Sequence, residues 1–341
     1  MSRYLLRRTG QAIVVFVAVT LVTFVVFFVI PTRVPSSVEG RQTRYEDVAR
    51  KMHQMGLDRP VAVQYGLYLK HLFQGQLGSS YTSHRSVSSI VLRSAPVTAS
   101  VIVGGLLIWL VIGLTVGVLS AIRPRSLLDR FAMVGVLIGI SAHPIWIGLV
   151  LGYLLGFKAH MFPMNGYCDF FMPARRATCG GPAEWAYHLV LPCLTLAVFF
   201  AAMYVRMIRA SVLEVLDEDY VRTARAKGAS EWQVLRRHVL RNALLPVVTM
   251  LGMDIGLCLS GAAFVEVVFG LPGMGHVAFE HLGFIRSVDT GSYTPLDLPV
   301  TAGIVVVMTI VVIVFNLIAD LLYGWIDPRV DVPGADSAVP A

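Results

Sequence analysis

The 341-residue sequence is poor in charged residues and in cysteine. Asp, Glu, Lys and Arg make up 14% of it, whereas a soluble globular chain carries about 25%. Apolar residues reach 56%. This composition excludes a disordered chain and a nucleic-acid-binding domain, and it argues against an ordinary soluble enzyme. Four cysteines are too few for a disulfide scaffold in a chain of this length.

The sequence also lacks the motifs of an ATPase or a hydrolase. No G-x-x-x-x-G-K-[ST] loop is present, so the chain cannot hold ATP phosphates by that device. Neither a G-x-S-x-G elbow nor an H-E-x-x-H motif occurs. His276, Glu280 and His281 come close to a zinc-binding pattern but miss the H-x-x-E-H spacing by one residue. We therefore expect no catalytic residue and no metal site.

Long apolar runs dominate what is present. A transmembrane helix needs about 20 consecutive, mostly apolar residues, and such runs lie near residues 11–30, 97–122, 131–157, 187–208, 243–269 and 299–325. A soluble domain with buried helices of this length would need far more polar sequence to solvate it. The sequence therefore predicts an all-α, polytopic membrane protein with six transmembrane helices.

These runs divide the chain into four parts. An amino-terminal cytoplasmic end with the first helix (1–30) precedes an extracytoplasmic segment with helical apolar spacing (31–96). A core of five helices (97–329) contains one large cytoplasmic loop (209–242), and a short cytoplasmic tail (330–341) follows.

The orientation follows from the placement of Lys and Arg. Near span ends and in short loops, basic residues concentrate on the side that holds both termini, and only four lie in the opposite loops 158–186 and 270–298. We therefore expect both termini in the cytoplasm, and the net charge of +7 mainly reflects this topology. The first run exceeds the core of about 7–15 residues in a signal peptide and no A-x-A site follows it, so an uncleaved signal-anchor helix fits better.

Two of the cysteines fall in a predicted external loop. Cys168 and Cys179 would lie on the oxidising side of the membrane, where a disulfide between them is the expectation and two free thiols are the alternative. Cys193 and Cys258 lie inside spans and are interpreted as small packing residues.

The loop between spans 4 and 5 carries helix signals. Asp217 and Asp219 supply negative charge at a helix start, and Gly228 supplies a stop. Ser230 and Gln233 then form a capping-box pattern that opens a second helix. The pattern predicts a helix–Gly–helix unit below the bilayer, and an ordinary basic, lipid-facing loop is the alternative.

On these residues the sequence resembles a known family. Segments in the same order from residue 2 to residue 329 are similar to ATP-binding-cassette (ABC) importer permeases of the dipeptide/oligopeptide permease family. Their order and the amino-terminal match resemble its dipeptide permease B type. The segments are MSRYLLRRTGQAI, MGLDRPVAVQYGLYL, QGQLGSSY, ISAHPIWIG, FPMNGY, HLVLPCLTLA, YVRTARAKGAS, RHVLRNALLP, FVEVVFGLPGMG and DLLYGWIDPR.

The resemblance implies partners and a docking element. It implies a second homologous permease subunit that completes a heterodimeric pore, two ATP-binding subunits that carry ATP and magnesium, and an extracytoplasmic peptide-binding protein. This chain would hold no cofactor and would lie in the cytoplasmic (inner) membrane. Nickel chelates or other small solutes are the alternative cargo. The implied ATPase-docking coupling helix comprises Asp219, Tyr220, Arg222, Thr223, Ala224, Arg225, Ala226, Lys227 and Gly228.

The chain departs from the family pattern in three places. Residues 30–35 replace the usual Pro-Gly-Asp-Pro after span 1. Arg222, Thr223 and Ala224 stand in place of the Glu-Ala-Ala of the general importer pattern, a change that the peptide-permease variant tolerates. Asp254 stands where an uncharged polar residue is expected.

Span 5 suggests a translocation path. A mid-span Asp costs about 2.5–3.5 kcal/mol on insertion scales, so Asp254 should face protein or water. At 100° per residue, Cys258 and Gly261 share its face. We hypothesise that these residues line the path, that Asp254 meets a substrate ammonium group, and that Glu266 serves as a gate or loop anchor. The alternative is a structural Asp254 paired with Arg or hydroxyl groups.

A second class of function uses the same carboxylates. In a proton-coupled secondary carrier, Asp254, Glu266 and Asp320 would form the relay. Six spans without a detected internal repeat weaken this hypothesis, because such carriers are often built from repeats. In span 3, Pro144 predicts a kink, and the preceding His143 is more often a packing residue than a ligand.

Overall fold

A computed structural model of the chain describes residues 2–29, 60–170, 179–286, 291 and 296–326. For residues 2–7 and 320–326 only the backbone is described. Three of the predicted features therefore lie outside the described residues: the altered segment after span 1, the first half of the external segment 31–96, and the tail 330–341.

Helices make up the described fold, and no β-strand occurs in these ranges. In chain order they are α1 (Ser2–Phe24, continued by a π-helical turn Val25–Val29), α2 (Val61–Phe73), α3 (Val87–Ile122), α4 (Leu127–Ser141), α5 (Pro144–Leu151, continued by a π-helical stretch Gly152–Lys158), α6 (Pro182–Leu216), α7 (Asp219–Ala226), α8 (Glu231–Gln233, continued as π-helix Val234–Val239 and α-helix Leu240–Ala243), α9 (Leu245–Phe269), α10 (Met274–His281) and α11 (Leu298–Ile326).

The predicted spans correspond to the long apolar helices. Five helices of the described chain are long and apolar enough to cross a membrane, namely Arg8–Val29, Val87–Ile122, Pro182–Leu216, Leu245–Phe269 and Leu298–Ala319. The pair α4 and α5 is apolar enough when taken together, but its two helices are bent by 113° at the break, as in a broken span or a re-entrant loop. The all-α, polytopic membrane fold is confirmed, with five spans in the described ranges, or six when α4 and α5 are counted as one.

The break in span 3 has a local cause. His143 is extended (φ −71°, ψ 143°) and Pro144 occupies the first turn of α5. A residue before Pro is disfavoured in the helical region, and Pro has no N–H to donate to the carbonyl one turn earlier. The predicted kink is therefore confirmed, and it separates two helices.

The described residues form two compact units. The ranges below include only their described residues. The first is drawn from Met1–Arg8, Pro96–His276 and Val314–Ala341, and the second from Thr9–Ala95 and Val277–Ile313.

In the first unit, α6 is the most deeply buried element. Its Phe200 and Tyr204 are almost fully buried, and Trp109 of α3 stacks on Phe200 with ring centroids 4.6 Å apart. Glycines of α3 allow the close approach, because a Cβ at Gly113 would lie 2.9 Å from Cβ of Tyr204. Close packing through small residues is the usual way in which helices associate in membranes.

In the second unit, hydrogen bonds join α1 to α2 and residues 79–86 to the start of α11. The hydroxyls of Thr20 in α1 and Tyr65 in α2 lie 2.9 Å apart. Asp297, directly before α11, is fully buried and accepts hydrogen bonds from the hydroxyls of Ser80 (2.6 Å) and Thr82 (2.8 Å) and from the Thr82 N–H (3.1 Å). Asp297 thus holds a short hairpin, residues 79–86, against the start of α11.

Candidate functional site

The predicted helix–Gly–helix unit is present between α6 and α9. The helix α7 covers Asp219–Ala226, and Gly228 then turns the chain with a φ of +82°. Gly suits this conformation because it has no Cβ. The capping box between Ser230 and Gln233 is formed by both of its hydrogen bonds. These local features of the prediction are confirmed.

The helix α7 presents most of its side chains to solvent. Val221 is fully buried in the core of the first unit, and Ala224 is half-buried. The remaining residues of the predicted docking element are exposed: Asp219, Tyr220, Arg222, Thr223, Arg225, Ala226, Lys227 and Gly228. A helix fixed by one apolar face leaves its polar face free to contact a second protein.

Hydrogen bonds brace this helix against its neighbours. Asn242 Nδ2 donates to the Tyr220 hydroxyl at 2.8 Å. Arg225 donates to both carboxylate oxygens of Glu231 across the Gly turn, at 3.0 and 3.3 Å. This pair is exposed and so adds little stability, and it bridges α7 and α8 across the turn. The buried side chain of Val221 is therefore the main anchor of α7, and these exposed hydrogen bonds add to it.

A partly buried ion pair, which no local sequence pattern indicates, lies at the same end of α6. Arg209 of α6 donates to both carboxylate oxygens of Asp129, with Nε to Oδ1 at 2.7 Å and Nη2 to Oδ2 at 3.0 Å. The hydroxyl of Ser120 and the N–H of Arg125 donate to the same carboxylate. Asp129 thereby connects the end of α3, the start of α4 and α6. The spacing of Ser126 and Asp129 is an N-cap signal, but Arg209 lies 80 residues further on.

Asp254 is buried in α9 and is paired with a hydroxyl. Its side chain accepts a hydrogen bond of 2.8 Å from Tyr204 of α6. Cys258 and Gly261, which the helical period places on the same face, are also buried, and a Cβ at Gly261 would lie 3.1 Å from Leu196 of α6. This face of α9 therefore packs against α6, and lining an open path requires the two helices to separate. A role for Asp254 in transport stays a prediction.

Glu266 near the end of α9 is fully buried, and it caps α10. Its Oε2 accepts hydrogen bonds from the N–H groups of Gly275 (2.8 Å) and His276 (3.1 Å). A Cβ at Gly273 would overlap this carboxyl group, and one at Gly275 would lie 3.0 Å from Oε2 and overlap Ala263. The Gly-x-Gly segment is therefore what lets the chain turn closely round Glu266. This geometry would suit a loop anchor, and the role of Glu266 as a gate or a loop anchor stays a prediction.

Cys168 and Cys179 form a disulfide, with their Cα atoms 5.4 Å apart. The ring of His188 lies beside them, with Nδ1 3.3 Å from Cys168 Sγ. These three residues have the spacing of a metal site, but two sulfurs bonded to each other offer no thiolate ligand. Cys193 and Cys258 are free and buried, in keeping with a packing role.

Comparison with known proteins identifies the family. Residues 113–332 match the family described as "Binding-protein-dependent transport system inner membrane component", and residues 1–102 match "Binding-prot-dependent transport system membrane comp, N-term". Together the two matches cover almost the whole chain.

Relatives are similar over nearly their full lengths. A putative peptide permease protein of Brucella suis biovar 1 is 37% identical over 343 residues, which covers 97% of this chain and 100% of the relative. A probable D,D-dipeptide transport system permease protein of Escherichia coli K12 is 34% identical over 345 residues, which covers 97% of this chain and 98% of the relative. A dipeptide transport system permease protein of Alkalihalophilus pseudofirmus is 32% identical (97% and 99%).

A solved structure shares the fold. An inward-facing form of the MetNI methionine ABC transporter matches with a TM-score of 0.51 and 21% identity, over 70% of this chain and 96% of that chain. At this identity the likeness concerns the fold alone.

These matches favour the permease over the proton-coupled carrier, and they identify a transport subunit rather than an enzyme. The family implies ATPase and substrate-binding partners. The chain belongs to the family of binding-protein-dependent transport system inner membrane components, as a multi-pass membrane permease subunit of the dipeptide/oligopeptide ABC importer type.

Proposed function

We propose that this chain is one of two homologous permease subunits that together form a pore for dipeptides and oligopeptides in the cytoplasmic membrane. Two ATP-hydrolysing subunits, which carry ATP and magnesium, bind below it, and an extracytoplasmic protein delivers the peptide. The printed names of its relatives, which are peptide and dipeptide permeases, support this cargo. The exposed and braced helix α7 is the observation that carries the coupling part of the proposal.

The coupling step follows from the connections of α7. ATP binding closes the two ATPases and displaces the docked α7. Val221, buried in the core of the first unit, and the Tyr220–Asn242 hydrogen bond pass this displacement to α6 and α8. Asp129 and Arg209 pass it further from α6 to α4. The helices α6 and α9, which carry Tyr204 and Asp254, then move relative to each other. This movement opens the pore to the other side of the membrane.

The proposed orientation places α7 and both termini in the cytoplasm. The basic residues near α7 lie on that side, as the positive-inside rule requires. The disulfide between Cys168 and Cys179 falls on the opposite, oxidising side. A cysteine-reactive, membrane-impermeant reagent should therefore label a Thr223→Cys variant in inside-out vesicles and not in right-side-out vesicles.

Reconstitution tests the proposed function. The chain is placed in liposomes with the second permease, the ATPase subunits and the external binding protein, and uptake of radiolabelled dialanine is measured with and without ATP. We expect uptake that depends on ATP and on every partner. Uptake by this chain alone, driven by a proton gradient, would instead support the carrier. Uptake of a nickel chelate but not of peptides would support the alternative cargo.

Crosslinking tests the docking of α7. An Ala226→Cys variant should form a crosslink to an ATPase subunit that carries cysteines in its docking groove. An Arg237→Cys variant, exposed on the neighbouring arm, is the matched control and should crosslink much less. Equal crosslinking from the two positions would contradict docking through α7.

A further inference from the structure

The break in span 3 opens a groove that the functions described above do not use. Its volume is about 510 Å³, and it is lined by Leu137, Ile138, Ser141, Ala142, His143 and Trp146. We call it the break groove. Cavities that hold small ligands measure about 300–1,000 Å³ and combine apolar walls with a few polar groups. The break groove has this size and this composition.

The position of the groove argues against lipid as its occupant. It lies at the bend between two apolar helices, which form either a broken span or a re-entrant loop, and both arrangements place the bend at membrane depth. Ala142 and His143 are both extended there, and Pro144 cannot donate to the carbonyl of Ile140. Irregular backbone at membrane depth is tolerated where protein covers it or where it lines a water-filled cavity.

The polar groups of the groove are hydrogen-bond donors. His143 Nδ1 accepts a hydrogen bond of 3.3 Å from the N–H of Ile145, so a neutral ring carries its proton on Nε2. The ring of His143 also packs edge-on against Phe264 of α9, with centroids 5.4 Å apart. The exposed hydroxyl of Ser141 is a second donor. The groove thus offers donors beside the helix that carries Asp254 and Glu266.

We propose that the break groove is a transit subsite that binds a peptide on its way through the permease. His143 Nε2 and the Ser141 hydroxyl donate to a carbonyl or carboxylate oxygen of the peptide. The indole of Trp146 and the side chain of Leu137, which are 58% and 68% exposed, contact an apolar side chain of the cargo. This inference rests on the proposed function, because it takes the cargo to be a peptide.

A selectivity measurement tests the apolar contact. In the reconstituted transporter, the initial uptake rates of diphenylalanine and dialanine are compared for Trp146→Ala. The control is Leu149→Ala, since Leu149 is 59% exposed on the same helix but does not line the groove. Because the binding protein is the same throughout, its own selectivity cancels.

We expect Trp146→Ala to lower the diphenylalanine-to-dialanine ratio by about fivefold to tenfold, and Leu149→Ala to leave it unchanged. A purely structural loss would slow both peptides equally. An unchanged ratio for Trp146→Ala would overturn the groove while leaving the proposed function in place. Failure of the unsubstituted transporter to take up either peptide would overturn both.

Two substitutions at His143 distinguish hydrogen-bond donation to the peptide from capping of helix α5. Asn and Asp both cap a helix through a side-chain oxygen, but only Asn also offers an N–H donor. We expect His143→Asn to keep most of the uptake rate and His143→Asp to lower it by about tenfold or more. Equal rates for the two variants would show that His143 serves only as a cap, and would overturn the donor role.

Chemical labelling identifies the occupant directly. A Ser141→Cys variant in the assembled transporter is treated with a water-soluble maleimide, with and without trialanine in excess. The two free native cysteines are buried, so the unsubstituted chain gives the background. Labelling slowed by trialanine about threefold or more supports the subsite. Labelling by a lipid-soluble reagent only, or resistance to labelling because the second permease covers the position, would overturn it.

Discussion

Asp254 and Glu266 lie in the same helix and are both buried, yet their partners differ in kind. Asp254 accepts a hydrogen bond from a side-chain hydroxyl, that of Tyr204. Glu266 accepts from two backbone N–H groups, and glycines fit closely around it. A hydroxyl can rotate to another acceptor, whereas backbone donors at a helix start cannot move without unwinding the helix. We therefore expect Glu266 to keep its partners, and Asp254 to be able to exchange its own if α6 and α9 move apart.

Removal of the Glu266 side chain should have the largest effect. Glu266→Ala leaves the N–H groups of Gly275 and His276 without their acceptor, and each buried, unsatisfied group costs about 1–3 kcal/mol. We expect a loss of about 3 kcal/mol in the free energy of unfolding, measured on the purified assembly in detergent.

The control for this prediction is Glu266→Gln, which keeps one side-chain oxygen as acceptor while removing the charge. It should recover most of the stability and most of the peptide uptake. If uptake is lost equally in both variants, transport requires the charge of Glu266. Glu266 would then not be purely structural, which contradicts its contrast with Asp254.

A methyl group added at Gly273, next to the carboxyl group of Glu266, should have the next largest effect. The Cβ of Gly273→Ala would overlap the carboxyl group, and overpacking of this kind costs about 1–3 kcal/mol. Gly135→Ala is the matched control, because a Cβ there meets nothing within 4 Å. In a helix that control should be neutral or slightly stabilising. The thermal unfolding midpoints of the two variants give the measurement, and equal midpoints would mean that the turn around Glu266 yields readily.

Substitutions at the Asp254–Tyr204 pair should affect stability less than transport. Asp254→Asn keeps an acceptor for the Tyr204 hydroxyl and should leave assembly of the complex intact, while uptake of peptides with a free ammonium group falls. Tyr204→Phe removes the donor and should cost about 1–2 kcal/mol. Unchanged uptake in Asp254→Asn would remove the proposed contact with the substrate and leave Asp254 as a packing residue.

Asp297 extends the comparison to a carboxyl group outside the spans, where we expect the smallest effect. Burial alone would raise the pKa of Asp297, but the hydrogen bonds from Ser80 and Thr82 outweigh it and hold that pKa below its ordinary value. A lowered pKa in the folded state stabilises the protein above the ordinary pKa of about 4. This stabilisation is lost as the pH falls below that value.

Hydrogen exchange of residues 79–86 measures this dependence. Protection should be constant from about pH 8 to pH 5 and should weaken below about pH 4, whereas Asp297→Asn should show a flat profile. If Asp297→Asn still loses protection below about pH 4, a titrating group other than Asp297 causes the acid dependence.

Much of the helix–Gly–helix unit could be predicted because its signals are local. Gly228 readily adopts the positive φ of the turn, and Ser230 and Gln233 form hydrogen bonds within one helical turn. The kink at Pro144 is also local, since it follows from a missing N–H. The partners of the carboxylates were harder to predict because they come from distant parts of the chain. The sequence showed that Asp254 must be satisfied, but nothing in its spacing indicated Tyr204, 50 residues earlier.

The sequence by itself determined the membrane-spanning class, the helix–Gly–helix unit and the family, because apolar length, backbone preference and ordered motifs are properties of the linear chain. Tertiary structure alone decided three further features: the Asp129–Arg209 ion pair, the cap that Glu266 places on α10, and the groove at the break of span 3. Each depends on how closely helices approach and at what angle they meet. Those quantities arise from the packing of side chains that are far apart in the sequence.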